Sequence, residues 1–290
     1  MATVPPPMLD PSRPTFRLPA GTCDSHVHVY GPARVFPFSE GRAYTPDDAP
    51  AERLAALHRM LGVERVVFVQ ASIHGFDNRA MLDAVARDPA RHRGVALLPV
   101  DATEAEMHHL HAGGVRGVRF SFMRHLGAAP DLDGVRRLAE RMAPLGWHVQ
   151  IYLDAQDLPE LAPFLRSLPV PFVIDHFARV MVERGLDQAP LRLLLQLLED
   201  ERAWVKLSGP ERVSAALSTG AFPYEDVAPL ARLLAHAAPD RVVWGSDWPH
   251  PNVREIPDDG LLVDLLPRHG LDAAALQRLL VDNPARLYGF

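Results

Sequence analysis

Eight short runs dense in β-branched and aromatic residues recur along the chain, and longer stretches with apolar residues at helical spacing lie between them. The runs are Cys23 to Val29, Arg65 to Gln70, Gly94 to Val100, Gly117 to Phe122, His148 to Leu153, Phe172 to Asp175, Trp204 to Ser208 and Arg241 to Gly245. The intervening helical stretches include Asp47 to Leu61, Asn78 to Ala86, Leu132 to Leu145, Leu158 to Leu168, Leu191 to Asp200 and Tyr224 to Ala237. Strand-then-helix units in this number predict an α/β fold, a parallel (β/α)8 TIM barrel, which typically takes about 250 residues. The chain has 290. An open doubly wound sheet is the rival architecture. Against it, no Gly-x-Gly-x-x-Gly follows the first strand, and polar residues sit at the carboxyl ends of nearly every strand.

No linker or shift in composition divides the chain, so one barrel domain is expected over residues 21–290, with a final helix from Ala273 to Val281 leading into a closing segment. Residues 1–20 hold Pro5, Pro6, Pro7, Pro11, Pro14 and Pro19 and no apolar core, which reads as an extended arm and not a signal peptide. The protein is therefore expected to stay in the cytoplasm, and no run approaches the length of a membrane span. A formal net charge of -6 argues against nucleic acid as a partner. The single cysteine, Cys23, excludes an internal disulfide and a cysteine zinc cluster, and reads as a small buried thiol. Leu191 to Leu198 is barrel packing or a dimer contact, so monomer and homodimer both stay open.

His26-Val27-His28 places two imidazoles on one side of the first strand, because side chains alternate with period two. Barrel strands converge on one pocket at their carboxyl ends. There the chain offers Ser72 after strand two, Arg119 and Arg124 on and after strand four, and Tyr152 on strand five. Strand six adds His176 and Arg179, strand seven Ser208 and Arg212, and strand eight Asp247 and Asn252. His108, His109 and His111 are the densest histidine cluster, but they fall on an outer helix and read as a solvated face.

The blocks Asp24-Ser25-His26-Val27-His28, Gln70 to Asn78, Gly117-Val118-Arg119-Phe120, Gln150-Ile151-Tyr152, Asp175-His176, Lys206-Leu207-Ser208-Gly209 and Trp244 to Pro251 occur in one order over nearly the whole chain. In them the sequence resembles the amidohydrolase superfamily, and within it the branch of 2-pyrone-4,6-dicarboxylate lactonases and related sugar-lactone hydrolases. One departure is Phe177-Ala178 after Asp175-His176, where Met-Gly is expected.

Members of this superfamily hold one or two divalent metals with two histidines on strand one, a carboxylated lysine or glutamate on strand four, histidines on strands five and six and an aspartate on strand eight. Here Arg119 and Tyr152 stand at the strand-four and strand-five positions, so a two-metal centre is not expected. The resemblance implies a metal-free lactonase without cofactor. A single zinc at His26, His28, His176 and Asp247 is the alternative. It further implies Asp247 as general base, with His26, His28 and His176 polarising the lactone carbonyl. Arg119, Arg124, Arg179 and Arg212, helped by Tyr44, Ser72, Tyr152 and Asn252, would clamp the carboxylates of a small anionic lactone. A zinc-dependent sugar-acid lactonase, lactone isomerase or decarboxylase is the second reading, and a non-catalytic binding protein for an aromatic acid the third.

Overall fold

The computed structural model describes residues 2–215, 222–253 and 255–290, and its eight principal strands form one parallel sheet whose spatial order is their order in the chain. They are β1 (Cys23–Val27), β2 (Arg65–Val69), β3 (His92–Ala96), β4 (Val115–Ser121), β5 (His148–Tyr152), β6 (Phe172–Ile174), β7 (Ala203–Ser208) and β8 (Val242–Gly245). The seam between β8 and β1 closes just past the strand ends. Asp247 N donates to His26 O at 2.8 Å, His28 N donates to Trp248 O at 2.7 Å, and Ser246 N donates to Asp24 Oδ1 at 2.9 Å. The expected (β/α)8 barrel is therefore the fold.

Outward-facing strand residues such as Val66 and Phe68 pack under the helices, while Cys23, Val67, Val69 and Val95 point inward with Tyr288. The helices are α1 (Ala51–Leu61), α2 (Arg79–Ala86), α3 (Glu104–Ala112), α4 (Leu132–Met142), α5 (Leu158–Ser167), α6 (Ala189–Leu197), α7 (Ala228–Ala237), α8 (Asp259–Leu265), α9 (Ala273–Gln277) and α10 (Asn283–Tyr288). Of these, α3 begins with a capping box between Thr103 and Glu106, and α8 is capped by Asp258.

Several strands stop one or two residues short of their apolar runs, because the last residues turn into the pocket. The β3 strand ends at Ala96 where Val100 was expected, and begins at His92. The expected helix from Ala273 to Val281 is α9 followed by a π-turn, Arg278–Asp282, that runs on into α10. Pro284 follows directly on this π-turn, in which Asn283 N donates to Arg278 O, so the residue that cannot donate sits where the regular helical ladder is already interrupted. This end of the chain reaches the barrel floor. Tyr288 is fully buried, and the Phe290 ring lies under the guanidinium groups of Arg65 and Arg93.

Residues 4–20 form neither helix nor strand. They are nonetheless tied to the barrel, with Ser12 bonded to Asp258 and the backbone of Thr15 and Phe16 to Asp264.

Candidate active site

The carboxyl ends of β1, β6 and β8 bring three imidazoles around one carboxylate oxygen. Asp247 Oδ1 lies 3.7 Å from His26 Nε2, 3.5 Å from His28 Nε2 and 3.8 Å from His176 Nε2. All four side chains are almost wholly buried, and among the described residues neither Asp247 Oδ1 nor His26 Nε2 has a hydrogen-bond partner. The other carboxylate oxygen, Oδ2, accepts from Arg212 Nε at 3.0 Å and Nη2 at 2.6 Å, and Nη2 also reaches Pro251 O at 2.7 Å.

The partners of the other ring nitrogens limit where the protons can sit. His28 Nδ1 is 2.8 Å from Val69 O, which can only accept, so Nδ1 carries a proton. His176 Nδ1 faces the Ser208 hydroxyl at 2.9 Å. A hydroxyl can donate, so His176 is free to carry its proton on Nε2, and His26 Nδ1 lies between a donor, Lys206 Nζ at 3.5 Å, and an acceptor, Asp175 Oδ1 at 3.3 Å.

Burial works to raise the Asp247 pKa, but Arg212, and after it the histidines, hold the carboxyl well below the usual range. Burial pushes His26 down to about 3 and His176 well below the ordinary histidine value, so both rings are neutral near pH 7.

A second layer lies beneath. The register sets Arg119 beside Gln150, and both reach Asp175 just past the end of β6. Lys206 on β7 is fully buried, donates to Ser25 O at 2.9 Å and Gln150 Oε1 at 2.8 Å, and lies 3.7 Å from Asp175 Oδ1. Burial lowers its pKa to about 8 against the pull of Asp175.

Backbone conformation is strained around the same cluster. His176, Phe177, Ala178 and Arg179 have φ between 50° and 54°, and Asp247, His250 and Asn252 have φ of 66°, 61° and 58°. Residues other than glycine held this way cost about 1–3 kcal/mol each, and such strain gathers at functional sites. Ala178 therefore adopts, with a side chain, a conformation that glycine reaches freely.

Of the expected binding residues, Arg119, Arg212, Tyr44, Ser72, Tyr152 and Asn252 line a cavity of about 20 Å³ over Asp247. Arg124 stands outside it, with a side chain 90% exposed and only Asp157 at 3.7 Å for company. Arg179 lies between Asp154 and the Tyr152 hydroxyl and lines a neighbouring cavity of about 470 Å³. Arg212 is already committed to Asp247. The residues that sequence reasoning left unused are Asp175, Gln150 and Lys206. The signal for Lys206 was a lysine inside an otherwise apolar strand run, and for Asp175 an acid ending one.

The donor set at Asp247 also suits a metal ion. His26, His28 and Asp247 offer two imidazole nitrogens and a carboxylate oxygen mutually within 4.8 Å, a composition that zinc takes. The site can therefore hold a single divalent cation, with His176 as a further donor. A side chain able to bridge two metals is missing from the β4 end, where Arg119 stands.

The amidohydrolase family model matches residues 23–290. The 2-pyrone-4,6-dicarboxylate hydrolase of Comamonas testosteroni is 48% identical over 285 residues, covering 96% of this chain and 93% of that protein. The 4-sulfomuconolactone hydrolase of Rhizobium radiobacter is 40% identical over 279 residues, covering 95% and 92%. A provisionally named 2-pyrone-4,6-dicarboxylic acid hydrolase of Acinetobacter baumannii, solved with citric acid bound, is 27% identical, covers 93% of this chain and 100% of its own, and superposes with a TM-score of 0.81. With a family match over almost its whole length and relatives named as lactone hydrolases, this chain belongs to the amidohydrolase family.

Proposed function

We propose that the protein opens the ring of 2-pyrone-4,6-dicarboxylate, or of a closely related carboxylated lactone, by hydrolysis. The observation that carries this reading is Asp247 Oδ1, a buried carboxylate oxygen without a partner, encircled by three imidazoles at the base of an arginine-lined cavity.

Asp247 Oδ1 can hold a water by one of its two hydrogens and take that proton as the water attacks the carbonyl, while one neighbouring Nε2 lone pair can accept the other hydrogen. His176, the ring able to present Nε2–H, supports the developing oxyanion. Among the described residues Arg119 is hydrogen-bonded only through Nε, so its terminal nitrogens remain available for a substrate carboxylate.

A second reading is favoured by the same convergence of ring nitrogens. One zinc held by His26, His28, His176 and Asp247 would supply Lewis-acid polarisation of the carbonyl. The deciding experiment follows the pyrone ultraviolet absorbance on mixing substrate with enzyme, with and without chelator, and measures metal on the same sample. Chelator-resistant loss supports the metal-free lactonase. Loss only with stoichiometric zinc moves the reading to the metal-dependent one, and no loss on any carboxylated lactone rejects both.

A further inference from the structure

Outside the barrel, the arm that precedes β1 lies across α1 and α8. Arg53 on α1 donates from Nη2 to Pro7 O at 2.8 Å and to Met8 O at 3.2 Å. Asp258, the cap of α8, accepts from Ser12 N at 3.0 Å and from Ser12 Oγ at 2.6 Å, and Asp264 accepts from Thr15 N and Phe16 N. The contact at Ser12 depends on a glycine. A Cβ on Gly260, in the first turn of α8, would run into Ser12 O and stand 2.6 Å from Ser12 C.

The loop from Asp247 to Asn252 is supported at two points, and the arm reaches both. Buried Trp248 borders a space of about 250 Å³ between Met8, Leu9 and Pro11 of the arm and Leu57 and Met60 of α1. Buried His250 turns Nε2 to Asp259 Oδ1 at 3.1 Å, and its backbone N donates to Asp247 O at 2.7 Å. Asp259 stands between Asp258 and Gly260, the two residues that seat Ser12. Asp247, His250 and Asn252 all have positive φ, and such a conformation persists only where its surroundings over-determine it. We propose that residues 7–16 form a strap that holds the Asp247 loop in this form from outside the barrel. Ser12 and Gly260 are then positioning residues for Asp247, acting through Asp259 and His250 and not through the pocket.

The test is Gly260→Ala in the full-length protein, since alanine is otherwise the better helix former and the added methyl group lies outside the pocket. Only its kinetic part rests on the lactone-hydrolase reading, because the strap is followed without substrate. Amide hydrogen exchange, read residue by residue, should find Ser12, Thr15 and Phe16 protected in the wild type. In Gly260→Ala, protection should fall by about 10-fold or more at Ser12 and, with it, at Asp247 and His250, whose N–H groups bond to His26 O and Asp247 O, while Val205 on β7 stays as protected as before. With that loosening, kcat on the pyrone should fall by about 10-fold or more and KM change by a smaller factor. Asp264→Ala, which frees Thr15 and Phe16 without adding bulk, should act in the same direction by a smaller factor, and decides alone if Gly260→Ala does not fold. Free exchange at Ser12, Thr15 and Phe16 in the wild type overturns the proposal, and so does a Ser12 still protected in Gly260→Ala. A freed Ser12 with Asp247 and His250 unchanged, or a loss of protection spread evenly through the barrel, overturns it as well. Loosening at Asp247 that follows Ser12 in a protein inert towards the pyrone would keep the strap and reject the lactone-hydrolase reading.

Discussion

The charged residues at the carboxyl end of the barrel form two tiers held in different ways. In the inner tier, His26, His28, Asp175, Asp247 and Lys206 sit on strands or within two residues of a strand end, are buried, and are linked in continuous contact. In the outer tier, Arg124 and Arg179 sit on loops, and their nearest carboxylates stand at 3.7 and 3.8 Å. The contrast separates two tasks. Groups that must be held to a fraction of an ångström stand on the sheet, as Arg119 does too, whereas Arg124 and Arg179 stand where a loop can adjust.

The largest effect should come from the centre of the inner tier. Asp247→Asn should lower kcat by about 10²- to 10⁴-fold, the usual worth of a general base, while the protein stays folded; a loss confined to KM would remove Asp247 from the chemistry. Next comes Arg212→Met. It leaves Asp247 buried without its cation, and urea unfolding should show a loss of about 3–5 kcal/mol. A change under about 1 kcal/mol would mean that the inner tier is not held together by this pair.

Acid should weaken the folded protein as a whole. His26 and His148 are pushed down to about 3 and His269 to about 4 by burial, and His176 is pushed down as well, whereas an unfolded histidine titrates near 6.5. Between those values the unfolded chain binds more protons, so stability is full above pH 6.5 and falls as pH drops towards about 4. His250, raised despite burial because Asp259 faces it, works in the opposite sense. A net uptake of protons on unfolding is expected near pH 5, where His250 is charged in both states and offsets nothing, and it is read from the slope of stability against pH. A flat profile would mean that these rings are charged in the folded protein. The smallest effect belongs to the outer tier. Arg124→Ala should raise KM by less than about 10-fold and leave the melting temperature unchanged. A collapse in kcat instead would erase the distinction between tiers.

How much of this could be read in advance follows the same division. The barrel was legible because eight apolar runs alternate with helical stretches, and the inner ring of His26, His28, His176 and Asp247 because each ends or interrupts such a run. Strand periodicity says which way a residue on the sheet points. It says nothing of Arg124, whose direction depends on how a loop of several residues folds back. It was also blind to pairing. The sequence marks Arg212 as a cation near the pocket, but only the fold reveals that its charge is spent on Asp247. Lys206 and Gln150 were visible as residues and invisible as a network, since their meeting depends on the register between neighbouring strands and on the turn that brings Asp175 inward.

The seam between β1 and β8 has a consequence for how this protein comes to exist in a cell. The backbone bonds that close the barrel belong to His26, His28 and Asp247 themselves, residues separated by more than two hundred positions in the chain. During synthesis the two histidines leave the ribosome more than two hundred residues ahead of the carboxylate they face, and the cluster stays incomplete until β8 has followed. A chain cut short in translation, or clipped ahead of β8, lacks both the closure and the carboxylate. Chemical competence and completion of the fold are therefore a single event, and no half-made barrel is a half-active one.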